Sequence, residues 1–145
     1  MDENLELLTY LYQDADMALD NLTTLIKKIN KKDNKIKKII EAEIKGYENY
    51  LKKIKSCIKK NNYDIQSKPL ISKMGAYMGI NMEIIKDNSD SRIADMLIQG
   101  FTMGVLNVTK KIDTFKKDAN KEIIGLAKEF KKFQEENIEF LKKYL

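Results

Sequence analysis

Residues 36–58 read IKKIIEAEIKGYENYLKKIKSCI, and the spacing within them decides the fold class. Ile36, Ile40, Ile44, Tyr47, Leu51, Ile54 and Ile58 recur every three or four residues. That is the period of one face of an α-helix, whereas a half-buried strand would alternate every second residue. A row beside it, Ile36, Ile40, Glu43, Tyr47, Tyr50, Ile54 and Cys57, sets Glu43 one position from the centre of the apolar face. An isolated buried carboxylate sooner takes up a proton than stays charged, so a buried Glu43 needs a partner or a proton. Asn61-Asn62 ends the segment.

Upstream, Leu5, Leu8, Tyr12, Ala15, Leu19, Leu22, Ile26 and Ile29 repeat the pattern, widened by Leu11, Ala18 and Leu25. The spacing predicts a helix of nearly thirty residues. Lys27, Lys28, Lys31 and Lys32 gather at its end, where the helix dipole favours cations, and Asp33-Asn34 supplies a turn and an N-cap for the next helix. So short a connection predicts an antiparallel pair. Residues 1–26 carry six acids and no base, whereas residues 27–60 carry thirteen Lys against four acids. The pattern predicts two helices that compensate each other's charge. Arg is nearly absent and no basic stripe is interleaved with exposed aromatics, which argues against a nucleic-acid partner despite the net charge of +5.

Downstream, Ser67 as cap, Pro69 in the first turn, and Leu70, Met74, Tyr77, Met78 and Ile85 predict a shorter amphipathic helix over 69–86. Residues 87–91, Asp-Asn-Ser-Asp-Ser, stop the chain and restart it. Ala94, Leu97, Phe101, Gly104, Val108, Ile112 and Phe115 then mark a third long helix, with Gly100 and Gly104 one turn apart where another helix crosses closely or a cavity lies. After Asp118-Ala119-Asn120, the fourth long helix faces Ile123, Leu126, Phe130, Phe133, Asn137, Leu141 and Tyr144 inward, so the C-terminus is expected to be docked. The expected fold is thus all-α, one domain over 1–145: a four-helix bundle with a short fifth helix between helices two and three. Roughly eighteen helical residues span about 27 Å, near the length of such a bundle. The middle helix then serves as a long crossover that makes helices two and three parallel, or else folds across one end and leaves a simple up-down-up-down order.

No apolar run reaches the roughly eighteen residues a membrane span needs, and the acidic start, Met1-Asp2-Glu3-Asn4, is unlike a secretory signal. A cytoplasmic chain is expected. The lone Cys57 has no disulfide partner, and without histidine the usual zinc and thiol–imidazole constellations are excluded. P-loop, dinucleotide and nucleophile-elbow motifs are also missing, so no enzyme activity and no cofactor are expected.

Three stretches carry a resemblance: 43–51, Glu-Ile-Lys-Gly-Tyr-Glu-Asn-Tyr-Leu; 73–79, Lys-Met-Gly-Ala-Tyr-Met-Gly; and 99–104, Gln-Gly-Phe-Thr-Met-Gly. In layout, over nearly the whole length, the chain resembles the uncharacterised bacterial ferritin-like four-helix proteins. That resemblance implies a ferritin-like bundle with helices two and three parallel. It does not carry over the metal chemistry. Ferritin-like di-metal sites use carboxylates on two helices and a Glu-x-x-His pair on each of the others. This chain has no histidine, and Gly100-Phe101 stands where similar proteins have Gly-Glu.

The acids nearest to facing inward are Asp16, Glu43, Asp95 and Glu136, one per long helix, and they are the candidates for an all-oxygen shell around a hard cation. The expected function is a non-enzymatic scaffold or partner-binding protein that has lost its relatives' metal site. Met74, Tyr77, Met78 and Met82 are its expected contact surface for a second copy or another protein, since methionines adapt to irregular surfaces. The alternatives are a carboxylate-only metal protein centred on Glu43 and a peripheral membrane-surface binder that uses the Lys-rich second helix and the Met-rich segment together.

Overall fold

A computed structural model describes residues 2–64 and 88–145. The expected fifth helix, with Met74, Tyr77, Met78 and Met82, lies outside the described residues. The described chain is helical and forms α1 (Glu3–Lys28), α2 (Lys37–Lys60), α3 (Asp90–Phe115) and α4 (Lys121–Leu141), with a closing 3-10 turn Lys142–Tyr144. No described helix is long and apolar enough to cross a membrane.

Three helices begin on side-chain caps. Asp2 Oδ1 accepts from Asn4 N at 2.8 Å, Ser89 Oγ from Arg92 N at 3.3 Å and Asn120 Oδ1 from Ile123 N at 3.0 Å. Each satisfies a backbone donor that the first helical turn leaves orphaned. The start of α2 departs from expectation, because Ile36 occupies the cap position and offers no side-chain bond. Its donors are met from another helix: Asp90 accepts from Lys35 N at 3.1 Å and Ile36 N at 3.4 Å. Asn34, expected as a cap, donates from Nδ2 to Asp90 Oδ1 at 2.8 Å and to the Asn88 carbonyl at 2.9 Å. Lys32 Nζ also bonds Asn88 Oδ1.

These bonds fix the helix order. The start of α2 lies against the start of α3, so the two run parallel. At the other end Tyr63 donates to Asp2 at 3.0 Å and Asn120 N to Asn4 Oδ1 at 2.7 Å, which sets the start of α4 beside the start of α1. The helices α1 and α2 form one antiparallel pair, and α3 and α4 the other. Of the diagonals, α1 and α4 approach each other closely while the backbones of α2 and α3 stay apart.

The core is continuous. In α3 all seven of the expected inward residues, from Ala94 to Phe115, are buried. The α2 face is centred on the row that contains Glu43, with Ile44 and Ile58 only half-buried. The α1 face is rotated from expectation: Leu7, Leu8, Leu11, Ala15, Ala18, Leu22 and Leu25 are buried, while Tyr12, Leu19 and Ile26 pack at the edge. In α4, Ala127 and Gln134 are buried and Leu126 and Phe133 lie at the edge. Tyr144 packs against the core from the final turn, although Leu145 is exposed. Burying each large apolar side chain is worth about 1.5–3 kcal/mol, so these stripes and not helix propensity hold the bundle.

The charge complementarity expected between α1 and α2 is realised elsewhere. Among the described residues, cross-helix ion pairs join α2 to α4: Lys53 to Glu129 at 2.5 Å and Lys60 to Glu122 at 3.3 Å. Both are exposed, and pairs of this kind contribute about 0–1 kcal/mol.

Candidate functional site

Among the described residues, four polar or charged side chains are buried in this core: Asp14 of α1, Glu43 of α2, and Gln134 and Asn137 of α4. Their positions follow from helical spacing, since Asp14 continues the row Leu7–Leu11 toward Ala18, and Gln134 sits between Phe130 and Asn137. Tyr47 stands at their centre, fully buried. Its ring stacks on Phe101 of α3 at 6.2 Å with planes 9° apart, and meets Phe133 of α4 edge-on at 4.9 Å. Such pairs add about 0.5–1.5 kcal/mol beyond area burial and lock the ring in place.

Gly104 makes room for this arrangement. A Cβ there would lie 2.5 Å from Gln134 Nε2, so any larger residue would force the amide to move from its place. The same holds at Gly46, where a Cβ would meet the Phe133 ring at 2.5 Å. The small residues on α2 and α3 are thus places where α4 side chains insert.

The polar atoms are left unpartnered. Tyr10 Oη, Asp14 Oδ2, both Glu43 oxygens, Tyr47 Oη, both Gln134 amide atoms and Asn137 Nδ2 are buried without a bond of good geometry. Gln134 lies near enough to Asp14 to favour its ionised form slightly, but burial dominates and raises the Asp14 carboxyl to about 7. Burial raises Glu43 to about 8, with no neighbour opposing it. Glu43 is therefore largely protonated at neutral pH and Asp14 is divided between its two forms. The Tyr47 and Tyr10 hydroxyls are pushed upward by burial first and then by the nearby carboxyls, Asp14 for both and Glu43 also for Tyr47. Two carboxyls, two phenols and two amides from three helices thus form one cluster, with α3 contributing Phe101 and Gly104.

A groove of about 300 Å³ lies over this cluster between α2 and α4. Ile39, Ala42, Phe133 and Phe140 give it apolar walls, and Glu43, Glu136 and Asn137 line it as well, with both Glu43 oxygens and the Asn137 amide nitrogen closed off from its space.

Of the four acids the sequence singles out, Glu43 is 2% exposed and central. Glu136 shares its groove but is exposed. Asp16 is half-buried. Asp95 is held on the surface of α3 by Arg92 Nη1 at 3.4 Å and Gln99 Nε2 at 3.2 Å. The four do not converge, and no group of three or more acidic or cysteine side chains suited to a metal occurs among the described residues. The buried acid of α1 is Asp14, two residues from Asp16, and the signal that finds it is its place in the Leu7–Leu11–Ala18 row. Cys57 is buried beside the surface, and burial and the nearby Glu122 push its thiol up, away from the nucleophilic thiolate.

No protein-family model, curated protein or solved structure matches this chain.

Proposed function

We propose that this chain is a ferritin-like bundle without di-metal chemistry, a non-enzymatic scaffold or partner-binding protein. The observation that carries the proposal is the occupant of the bundle centre. Where a di-metal protein gathers charged ligands from four helices, this one stacks Tyr47 on Phe101 and sets beside the pair two carboxyls whose proton affinity burial raises. The parallel course of α2 and α3 supports the ferritin-like assignment. Both carboxyls and the phenols are sealed from solvent in the core, away from any substrate, which favours binding over catalysis.

The partner favoured by the sequence is a second copy or another protein, engaged through Met74, Tyr77, Met78 and Met82. Sedimentation velocity over a range of concentrations tests it: self-association should be lost in Met78→Ala and Met82→Ala proteins that keep full helicity. Unfolding of those variants would place both side chains in the core and overturn the assignment.

Asp14, Glu43 and Gln134 favour a second function, retention of a hard cation, because each has a buried oxygen without a partner. Elemental analysis of protein purified without chelator separates the two. Stoichiometric iron or manganese that disappears in Glu43→Ala would establish the metal protein and refute the scaffold.

A further inference from the structure

We propose that the outer face of α2 docks this protein on an anionic lipid surface through a row of four lysines, Lys38, Lys45, Lys52 and Lys59. This inference goes beyond the scaffold proposal and does not rest on it.

The row is a product of spacing. Residues seven apart on a helix lie nearly in line, offset by about 20°. These four lie on the side of α2 turned away from the buried row Ile40, Glu43, Tyr47, Tyr50, Ile54 and Cys57, and each is exposed. At about 1.5 Å per residue, their charges stand about 10 Å apart along about 31 Å of helix. Among the described residues none of the four is in an ion pair, whereas Lys53 and Lys60, on the flank toward α4, are taken by Glu129 and Glu122. Between that flank and the row run Ala42, Asn49 and Ser56, also seven apart, exposed and uncharged. They are shorter than lysine, so the four ammonium groups stand clear of them. On the other flank the same spacing sets Glu41, Glu48 and Lys55, so the excess charge belongs to the lysine row.

The geometry of the row selects the partner. No small anion spans 31 Å, so only an extended partner engages all four charges. A second copy is a poor match. Two lysine rows repel, and the one run of three acids at this spacing among the described residues, Glu122, Glu129 and Glu136, already holds Lys60 and Lys53. A nucleic-acid duplex presents ridges and grooves to a straight row, and this row has neither arginine to read bases nor an aromatic ring to stack on them. A bilayer rich in anionic headgroups is negative at every point along the row, and each lysine held near such a surface strengthens binding about fivefold. The contact is electrostatic, so it is reversible and screened by salt.

Co-sedimentation of the full chain with lipid vesicles tests the face. At about 0.1 M salt, vesicles of phosphatidylcholine with about one-third phosphatidylserine should carry the protein down, and pure phosphatidylcholine should not. Binding should vanish at about 0.5 M salt, where the screening length falls to about 4 Å. Lys45→Gln with Lys52→Gln should lower the partition coefficient about thirtyfold, and replacing all four lysines should abolish binding. Glutamine matches lysine in helix propensity, so helicity by circular dichroism should hold. A control that loses the same charge at other exposed lysines, Lys110→Gln, Lys117→Gln, Lys121→Gln and Lys128→Gln, should stay within about threefold of the wild type. The proposal is overturned if nothing sediments, if neutral and anionic vesicles bind alike, or if the two fourfold variants lose binding equally. It is also overturned if a DNA oligonucleotide at equal phosphate concentration displaces the protein from the vesicles.

Discussion

Raising the pH from 5 to 7 should weaken this fold by about 5 kcal/mol, the opposite of ordinary acid denaturation. The cause is the pair of buried carboxyls. The folded-state pKa of Glu43 is raised from 4.5 to about 8, and that of Asp14 from 3.8 to about 7. For a group whose pKa is raised on folding, the stabilisation is complete below the unfolded value and is lost as pH climbs toward the folded value. Each such group costs about 1.4 kcal/mol per pH unit inside its window. The windows overlap between about pH 4.5 and 7, where the unfolded chain has released two protons that the folded chain keeps. The slope there is about 2.7 kcal/mol per pH unit; it halves as Asp14 ionises and vanishes above about pH 8. The chain has no histidine, so no other side chain ordinarily titrates in the middle of this range. Urea unfolding followed by circular dichroism at half-unit pH steps gives the profile. Glu43→Gln should halve the slope, and Glu43→Gln with Asp14→Asn should flatten it. Stability that is constant or rising between pH 5 and 7, or a Glu43→Gln slope equal to the wild type's, would refute the assignment of these groups as buried acids.

Two other perturbations test the packing. Gly104→Ala should destabilise by about 1–3 kcal/mol, because overpacking against the Gln134 amide outweighs the gain of nearly 1 kcal/mol in helix propensity. In a Gln134→Ala background that cost should largely disappear, and a double-mutant cycle by chemical denaturation that finds the two sites additive would disprove the insertion. Asp90→Ala removes the acceptor shared by Asn34, Lys35 and Ile36, and should cost about 2–3 kcal/mol against about 1 for Ser89→Ala. Equal losses in the two variants, measured in the same way, would show that the contact between helix starts contributes little.

Most of the helical framework is legible in the linear order of residues. Within residues 90–115 the row Ala94 to Phe115 keeps an unbroken three- and four-residue spacing, and α3 buries that face while Met103 and Leu106 stay exposed off it. Glu43 is legible for the same reason, as the only acid in an otherwise apolar or aromatic row. In α1 the difficulty is abundance. Leu5, Leu7, Leu8 and Leu11 allow two stripes about one position apart, and choosing between them decides whether Asp14 or Asp16 turns inward. In α4 the same ambiguity lies between Phe133 and Gln134, and periodicity alone favours the phenyl ring. The structure buries the amide, because Gly104 on the facing helix leaves a space that Gln134 fills.

Local patterning by itself determined that the described chain is helical, that it forms four long helices and which face of α3 is buried, because propensity, capping and a 3.6-residue period act within a few residues of one another. Only tertiary structure decided that Asp90 meets the start of another helix, that α2 and α3 run parallel, and that Asp14, Glu43 and Gln134 are all buried around Tyr47. Those facts depend on which faces meet across the bundle. A carboxyl's proton affinity is set by what surrounds it in space, and its neighbours here come from segments up to 120 residues apart.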